Sequence, residues 1–323
     1  DQPVRWPAPT NAAPIYWRGF MLYATNESLK GVDWSLLTAN DDEAGYRLTS
    51  AEIEQLKEVQ GIITIALRAR SVPSANWELD YELGVNALLP HLGPMRNMAR
   101  LLAADIRRCV TENDIDGAIS RFEALHAMSR HVRGDGILIS SLVSAAITNL
   151  ATTQTSPFLA QVELTAAQRD RLVAAVDAYG KDDPFAVRQA ITNEGVWLTA
   201  WLAEKVREGS FTQEMDMLFS LGDGSDAGAI ERIKRLSDDA MLEELRSCRR
   251  YYADAVSVWS EADAVDRLEA LEALVQEGHY GRIAQALAAA LSKSHAADQR
   301  GHAALEASRS EILTDRLAPT GSN

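Results

Sequence analysis

The residues best spaced to do chemistry lie between Glu112 and His126. Glu112, Asp114, Asp116, Gly117 and Glu123 fall at positions 1, 3, 5, 6 and 12 of a calcium-binding EF-hand loop, with apolar Ile119 at position 8. A hard cation needs several oxygens converging on a sharp glycine turn, and this pattern could supply them. Against calcium, position 1 is Glu rather than Asp, and such loops work in pairs while this one has no second copy. The same letters also write a capped turn between two helices, and that is the favoured reading. Glu123 and His126 add a Glu-x-x-His pair, the spacing of di-iron bundles. No second such pair accompanies them, and His126 borders an apolar stripe, so a buried histidine is expected. The metal candidates are therefore Glu112, Asp114, Asp116, Glu123 and His126, with Ca2+ the only cofactor suggested and no catalytic residue assigned.

Other chemistry is thinner. His295 and His302 lie two turns apart on one helix face, with no third zinc ligand beside them. Gly224-Ser225-Asp226 lacks the Gly-x-Ser-x-Gly elbow, and LGDGSDAG (221–228) lacks the Gly-Lys-Ser/Thr ending of a phosphate loop, so a surface loop is expected there. Trp77, Glu78, Asp80, Tyr81 and Glu82 interleave rings with carboxylates. Such a set could line a sugar groove, but the favoured reading is a connection anchored onto the core.

The element that must position the central acids is a helical hairpin, Met95 to Val132. In its first helix Met95, Met98, Ala99, Leu102, Ile106, Cys109 and Val110 recur at steps of three and four, with Arg96, Arg100, Asp105, Arg107 and Arg108 largely opposite. In its second helix Ile115, Ala118, Ile119, Phe122, Leu125, Ser129 and Val132 keep the period. Asn113 or Asp114 is placed to cap the second helix, and Gly117 is the residue expected to supply a positive φ in the turn.

Around the hairpin the pattern is helical throughout. Pro14 suits a first turn after an Asn11 cap, and Thr49-Ser-Ala-Glu52 is a capping box opening a helix to about Arg70. The stretch from Gly136 reads as a buried helix to about residue 153, closed by Pro157. Thr165-Ala-Ala-Gln168 is a second capping box. Long amphipathic stretches cover Ala229 to Trp259, Ser260 to Glu277 and Tyr280 to about Leu317, and nothing alternates like strands. The expected fold is all-α: antiparallel helical hairpins stacked as an irregular, TPR-like array. Its regions are 1–156, which holds the hairpin, and 157–323, read together as one continuous domain.

Composition sets the outer limits. A net charge of -14 argues against sequence-independent nucleic-acid binding, which needs a basic face. No apolar run reaches the length of a membrane span. The opening DQPVRWPAPTNAAP reads either as a processed mature N-terminus or as a trimmed one, and is evidence neither for nor against a signal peptide. Cys109 and Cys248 are compatible with one disulfide or with two buried thiols.

NAAPIYW (11–17), the Trp77-Glu-Leu-Asp-Tyr segment, MARLLAADIRRC with NDIDGAI and LHAMSRHV, ILISSLVSAAI and RSCRRYYADAVSVW together resemble a group of uncharacterised, mostly helical exported proteins of planctomycete-type bacteria. Members often continue into a pseudopilin-like C-terminal segment, a feature not found up to Asn323. The resemblance implies an exported all-α protein, periplasmic or secreted with its signal peptide removed, and supplies no activity. Two functional readings follow. The first is a non-enzymatic scaffold, a subunit of a larger extracytoplasmic assembly whose helical surface meets a protein partner or copies of itself. The second is a metal-dependent or carbohydrate-active helical enzyme using the acids near Trp77 and Asp114. A large apolar surface patch would favour the first, and a deep pocket of inward-facing carboxylates the second.

Overall fold

The computed structural model describes residues 9–26, 46–214, 233, 235–261, 270–271, 273–274 and 280–314. LGDGSDAG and most of Ser260 to Glu277 lie outside these residues.

Among the described residues the fold is all-α, with a lone bridge between Asn11 and Ser74 as its only β-type pairing. The helices are α1 (Ala13–Thr25), α2 (Ser50–Glu58), α3 (Gln60–Ala69), a 3-10 turn (Tyr81–Asn86), α4 (Leu92–Thr111), α5 (Ile115–Arg133), α6 (Leu138–Leu159), α7 (Ala166–Asp177), α8 (Val187–Glu208), α9 (Asp238–Glu261) and α10 (Arg282–Thr314).

Local signals place most of these ends. The Asn11 carboxamide oxygen accepts from the Ala13 N–H at 3.0 Å, and Pro14 occupies the first turn of α1. Both capping boxes form, at Thr49–Glu52 and Thr165–Gln168. Asp183 opens α8 by accepting from the Val187 and Arg188 N–H groups at 2.8 and 3.3 Å. Two expectations fail. The helix from Thr49 is broken at Val59 into α2 and α3, and α6 runs on through Pro157 to Leu159. Pro157 sits in the last turn, where burial of Phe158 and a Thr155–Ser308 hydroxyl contact of 2.9 Å hold the backbone helical.

The hairpin is α4 against α5, and its apolar stripe is buried as the spacing requires. Asp105 and Arg107, expected on the solvent side, are buried as well. Asp105 accepts from Arg108 at 2.5 Å, from Arg121 at 2.6 Å and from Gln60 at 3.1 Å, while Arg107 donates to the Tyr46 carbonyl at 3.2 Å. A buried carboxylate is tolerable when it is paired and fully hydrogen-bonded, as this one is.

Helix α6 is the centre of the molecule, packing on α4, α5, α8 and α10. Helix α9 lies along α8, and α10 returns to cover α6 and α7. A single hydrophobic cluster runs from Ala12 to Ile312, so the 156/157 boundary falls inside α6 and inside that core. No helix among the described residues is long and apolar enough to cross a membrane.

Candidate functional site

Each metal candidate is held by a group of the protein's own. Glu112 is ion-paired with Arg108. Asp114 is the N-cap of α5, accepting from the Gly117 N–H at 2.9 Å. Asp116 pairs with Arg171 at 2.8 Å, and the two oxygens of Glu123 take the same guanidinium at 2.8 and 3.0 Å. His126 is buried with its Nδ1 3.1 Å from the Tyr179 hydroxyl. Residues 115–133 are continuous helix, so the oxygens of Asp116 and Glu123 point across to α7 rather than converging on a loop centre. The geometry is that of a capped turn. Its positive-φ residue is Asn113 (φ 61°), not Gly117 as expected. Gly117 is small for a different reason, because a Cβ there would collide with the Asp114 carboxylate that caps the helix.

Among the described residues no three His, Cys, Asp or Glu side chains are grouped so as to hold a metal ion. His295 is buried edge-on to the Trp259 ring, with centroids 5.2 Å apart. His302 lines a separate cavity of about 330 Å³ with Asp177, Tyr179, Lys181, Glu306 and Arg309. Asp177 is already ion-paired with Arg309 at 2.7 Å. Cys109 and Cys248 are both buried free thiols, and burial pushes each up to about 12.

The buried polar groups form internal chains. His126, Tyr179, Thr148, Ser129 and Ser144 are linked at 3.1, 2.9, 2.8 and 2.7 Å. His131 joins the Tyr16 hydroxyl to the Val72 carbonyl, each at 2.8 Å. His91 and Ser140 share the Asp135 carboxylate at 2.8 and 2.6 Å. Burial lowers His126 to about 3 and His131 to about 4, so both are neutral bridging groups. The Asp135 cluster escaped sequence reading, because His91 lies 44 residues before Asp135; the Gly134-Asp135-Gly136 break was its only local signal.

The segment after α3 ties the rings of 77–82 to the core and to α8. Trp77 turns inward, donating from Nε1 to the His131 carbonyl at 3.2 Å and stacking on His91 with centroids 4.3 Å apart. This is the anchored connection, and a ring so buried does not face a sugar. Asp80 then caps the Glu82 N–H at 3.1 Å and starts the 3-10 turn. Tyr81 lays its hydroxyl on the Asp135 carbonyl at 2.5 Å and its ring 6.2 Å from that of Trp197 on α8. Gly84 (φ 56°) brings the backbone down onto the Trp201 ring, where any Cβ would collide.

Glu194 of α8 completes the corner by accepting from the Leu138 N–H at 2.8 Å at the start of α6. The 3-10 turn and α6 each pack on α8, and each of these elements carries exposed apolar side chains: Leu83 (46% exposed) and, just after the turn, Leu88 (78%), Ile139 (46%) on α6 and Val196 (51%) on α8, with Tyr81 also exposed. Glu78, Asp80 and Glu82 form an exposed acidic rim. Sequence reading found the rings and acids of 77–82 but not Ile139 or Val196, which the fold brings from elsewhere. Compared with known proteins, the chain matches no family model, no curated protein and no solved structure.

Proposed function

We propose that this protein is a non-enzymatic helical scaffold, an interaction subunit of a larger extracytoplasmic assembly that docks through the corner between the 3-10 turn and α8. The observation that supports this reading is that exposed apolar side chains sit on elements that pack on one another: Leu83 and Leu88 in and just after the 3-10 turn, Val196 on α8, which packs on that turn, and Ile139 at the start of α6, which also meets α8. Single exposed apolar residues are ordinary on a surface, and several on adjoining elements suit a contact with another chain. The backbone of the turn is held by Trp77, Tyr81 and Gly84, so its side chains are presented on a fixed platform, which lowers the ordering cost of association. The pairing of α4 with α5, and the packing of α6 on both, supports reading the frame as stacked helical hairpins of a TPR-like kind.

The test is size-exclusion chromatography with light scattering on natively purified protein, with mass spectrometry of co-eluting chains and metal analysis of the same peak. Stable association that is lost in Leu83→Asp and Val196→Asp variants is the expected result. A lone monomer carrying stoichiometric metal would overturn the proposal.

A further inference from the structure

Helix α10 is tied at two places to the end of α7 and the turn that follows it. At Gly301 it passes so close to the Phe185 ring that any Cβ would collide with it, and eight residues later Arg309 takes Asp177 at 2.7 Å. Since α10 is continuous helix here, the two ties stand about 12 Å apart. Between them the walls part and leave the cavity of about 330 Å³ that His302 lines. Gly180 lines it from the other side, and a Cβ there would meet nothing within 4 Å. A space of this size is at the lower end of the range for small-molecule pockets.

The floor is apolar and fixed. Val176, Tyr179 and Leu305 are buried. The Tyr179 hydroxyl lies 2.9 Å from that of Thr148, and the guanidinium groups of Arg130 and Arg133 stand 5.6 and 5.7 Å from its ring centre. Arg133 also donates to the carbonyls of Tyr179 and Asp183 at 3.3 and 3.4 Å, which pins the turn itself. The rim carries both signs: Lys181 is exposed on the turn, Glu306 is exposed on α10, and His302 lies one helical turn before Glu306. Asp177 and Arg309 neutralise each other across the gap.

The geometry points to a binding site for a small zwitterion with an apolar side chain, of the amino-acid or dipeptide class. Its carboxylate meets Lys181 and a ring N–H of His302, its ammonium group meets Glu306, and its side chain leaves water against Val176, Tyr179 and Leu305. A plain anion suits the cavity less well, because Asp177 and Glu306 line the same space. A metal ion does not suit it, since among the described residues no three His, Cys, Asp or Glu side chains are grouped to hold one. The site uses α7 and α10 and is independent of the docking reading above.

The test is isothermal titration calorimetry on the full chain, with leucine and leucyl-leucine as probes. N-acetyl-leucyl-leucine and leucyl-leucine amide each lack one of the two charges. At least one zwitterion should bind saturably at one site per chain, with a dissociation constant on the order of 0.1 mM for a ligand of this size. Each one-charge form should bind about tenfold more weakly, the scale of one lost charged contact. E306Q should weaken the zwitterion by about the same factor and leave the acetylated form unchanged, because that form has no ammonium group to lose. K181Q should weaken the zwitterion and leave the amide unchanged, for the matching reason. Both substitutions alter exposed side chains, and circular dichroism checks the fold of each variant. In NMR spectra the His302 ring resonances, assigned by their loss in H302Q, should move during the titration.

No saturable binding of either zwitterion would overturn the inference, and so would equal binding of the acetylated and amidated forms. Binding that E306Q and K181Q leave intact, or that leaves the His302 resonances in place, would put the ligand elsewhere and overturn it too.

Discussion

His126 and His131 lie on one helix, and the fold keeps both uncharged. Burial lowers them to about 3 and about 4, against 6.5 for an exposed imidazole. The unfolded chain therefore takes up protons first as pH falls. The stability they contribute is whole above pH 6.5 and is lost on the way down toward pH 4, by about 2 kcal/mol per histidine between pH 6.5 and pH 5. Urea unfolding midpoints should fall over that window, and a His131→Gln variant should show a shallower fall. Glu194 works with the opposite sign. Burial raises it from 4.5 to about 7, so the unfolded state loses its proton first and stability declines as pH rises from 4.5 to 7. Glu194→Gln keeps an oxygen for the Leu138 N–H and removes the ionisation. It should stabilise the protein by on the order of 2 kcal/mol at pH 8 and change little at pH 4, read from the same urea titrations. His126 was visible in the sequence as a borderline position on an apolar stripe, whereas His131 was not singled out. Glu194 was not, because nothing local says that a carboxylate will lie under the start of a helix 56 residues earlier.

At the scale of elements, short-range chemistry was the legible part. The capping boxes at Thr49 and Thr165, the apolar stripes of the hairpin and the Asp114 cap depend on neighbours within a turn or two, and the structure contains them as read. The glycine of the hairpin turn was misjudged because composition shows that a glycine is present, not which constraint it answers. Since Asn113 carries the positive φ, Asn113→Gly should cost little or nothing. Gly117→Val should cost about 1 kcal/mol by pushing the Asp114 cap aside, and much less in an Asp114→Ala background, as a double-mutant cycle of thermal melts would show. Gly84 answers two constraints together, a positive φ and contact with Trp201. Gly84→Ala should lower stability by about 2 kcal/mol or more and lift the 3-10 turn off α8, seen as a melting shift with a change in Trp fluorescence. The break at Val59 and the passage of α6 through Pro157 were illegible for a shared reason: what decides them is packing by distant helices.

For the whole molecule, the helical class follows from period and caps, but the assembly of the exposed corner does not. Leu83, Ile139 and Val196 belong to three separate elements, and only the finished fold packs the 3-10 turn and α6 on α8. Cys109 and Cys248 give a test of how far the core acts as one body, since they lie in α4 and α9 and share the same apolar cluster. Raised to about 12 by burial, neither thiol should react with a disulfide reagent at pH 8 in the native state. As denaturant is added, both should become reactive at one concentration. Two separate concentrations would show that the halves open independently.

Helix α10 closes the core by lying back along α6 and α7, where Ser308 meets Thr155 and Arg309 meets Asp177. It is also made after everything it covers. During synthesis, then, the ribosome releases a central helix whose α10-facing side must wait about 150 residues for its cover, roughly ten seconds at ordinary rates of translation. Through that interval the side of α6 that α10 will cover is open to water, so nascent chains stalled before α10 should aggregate more readily than the full chain in cell-free translation.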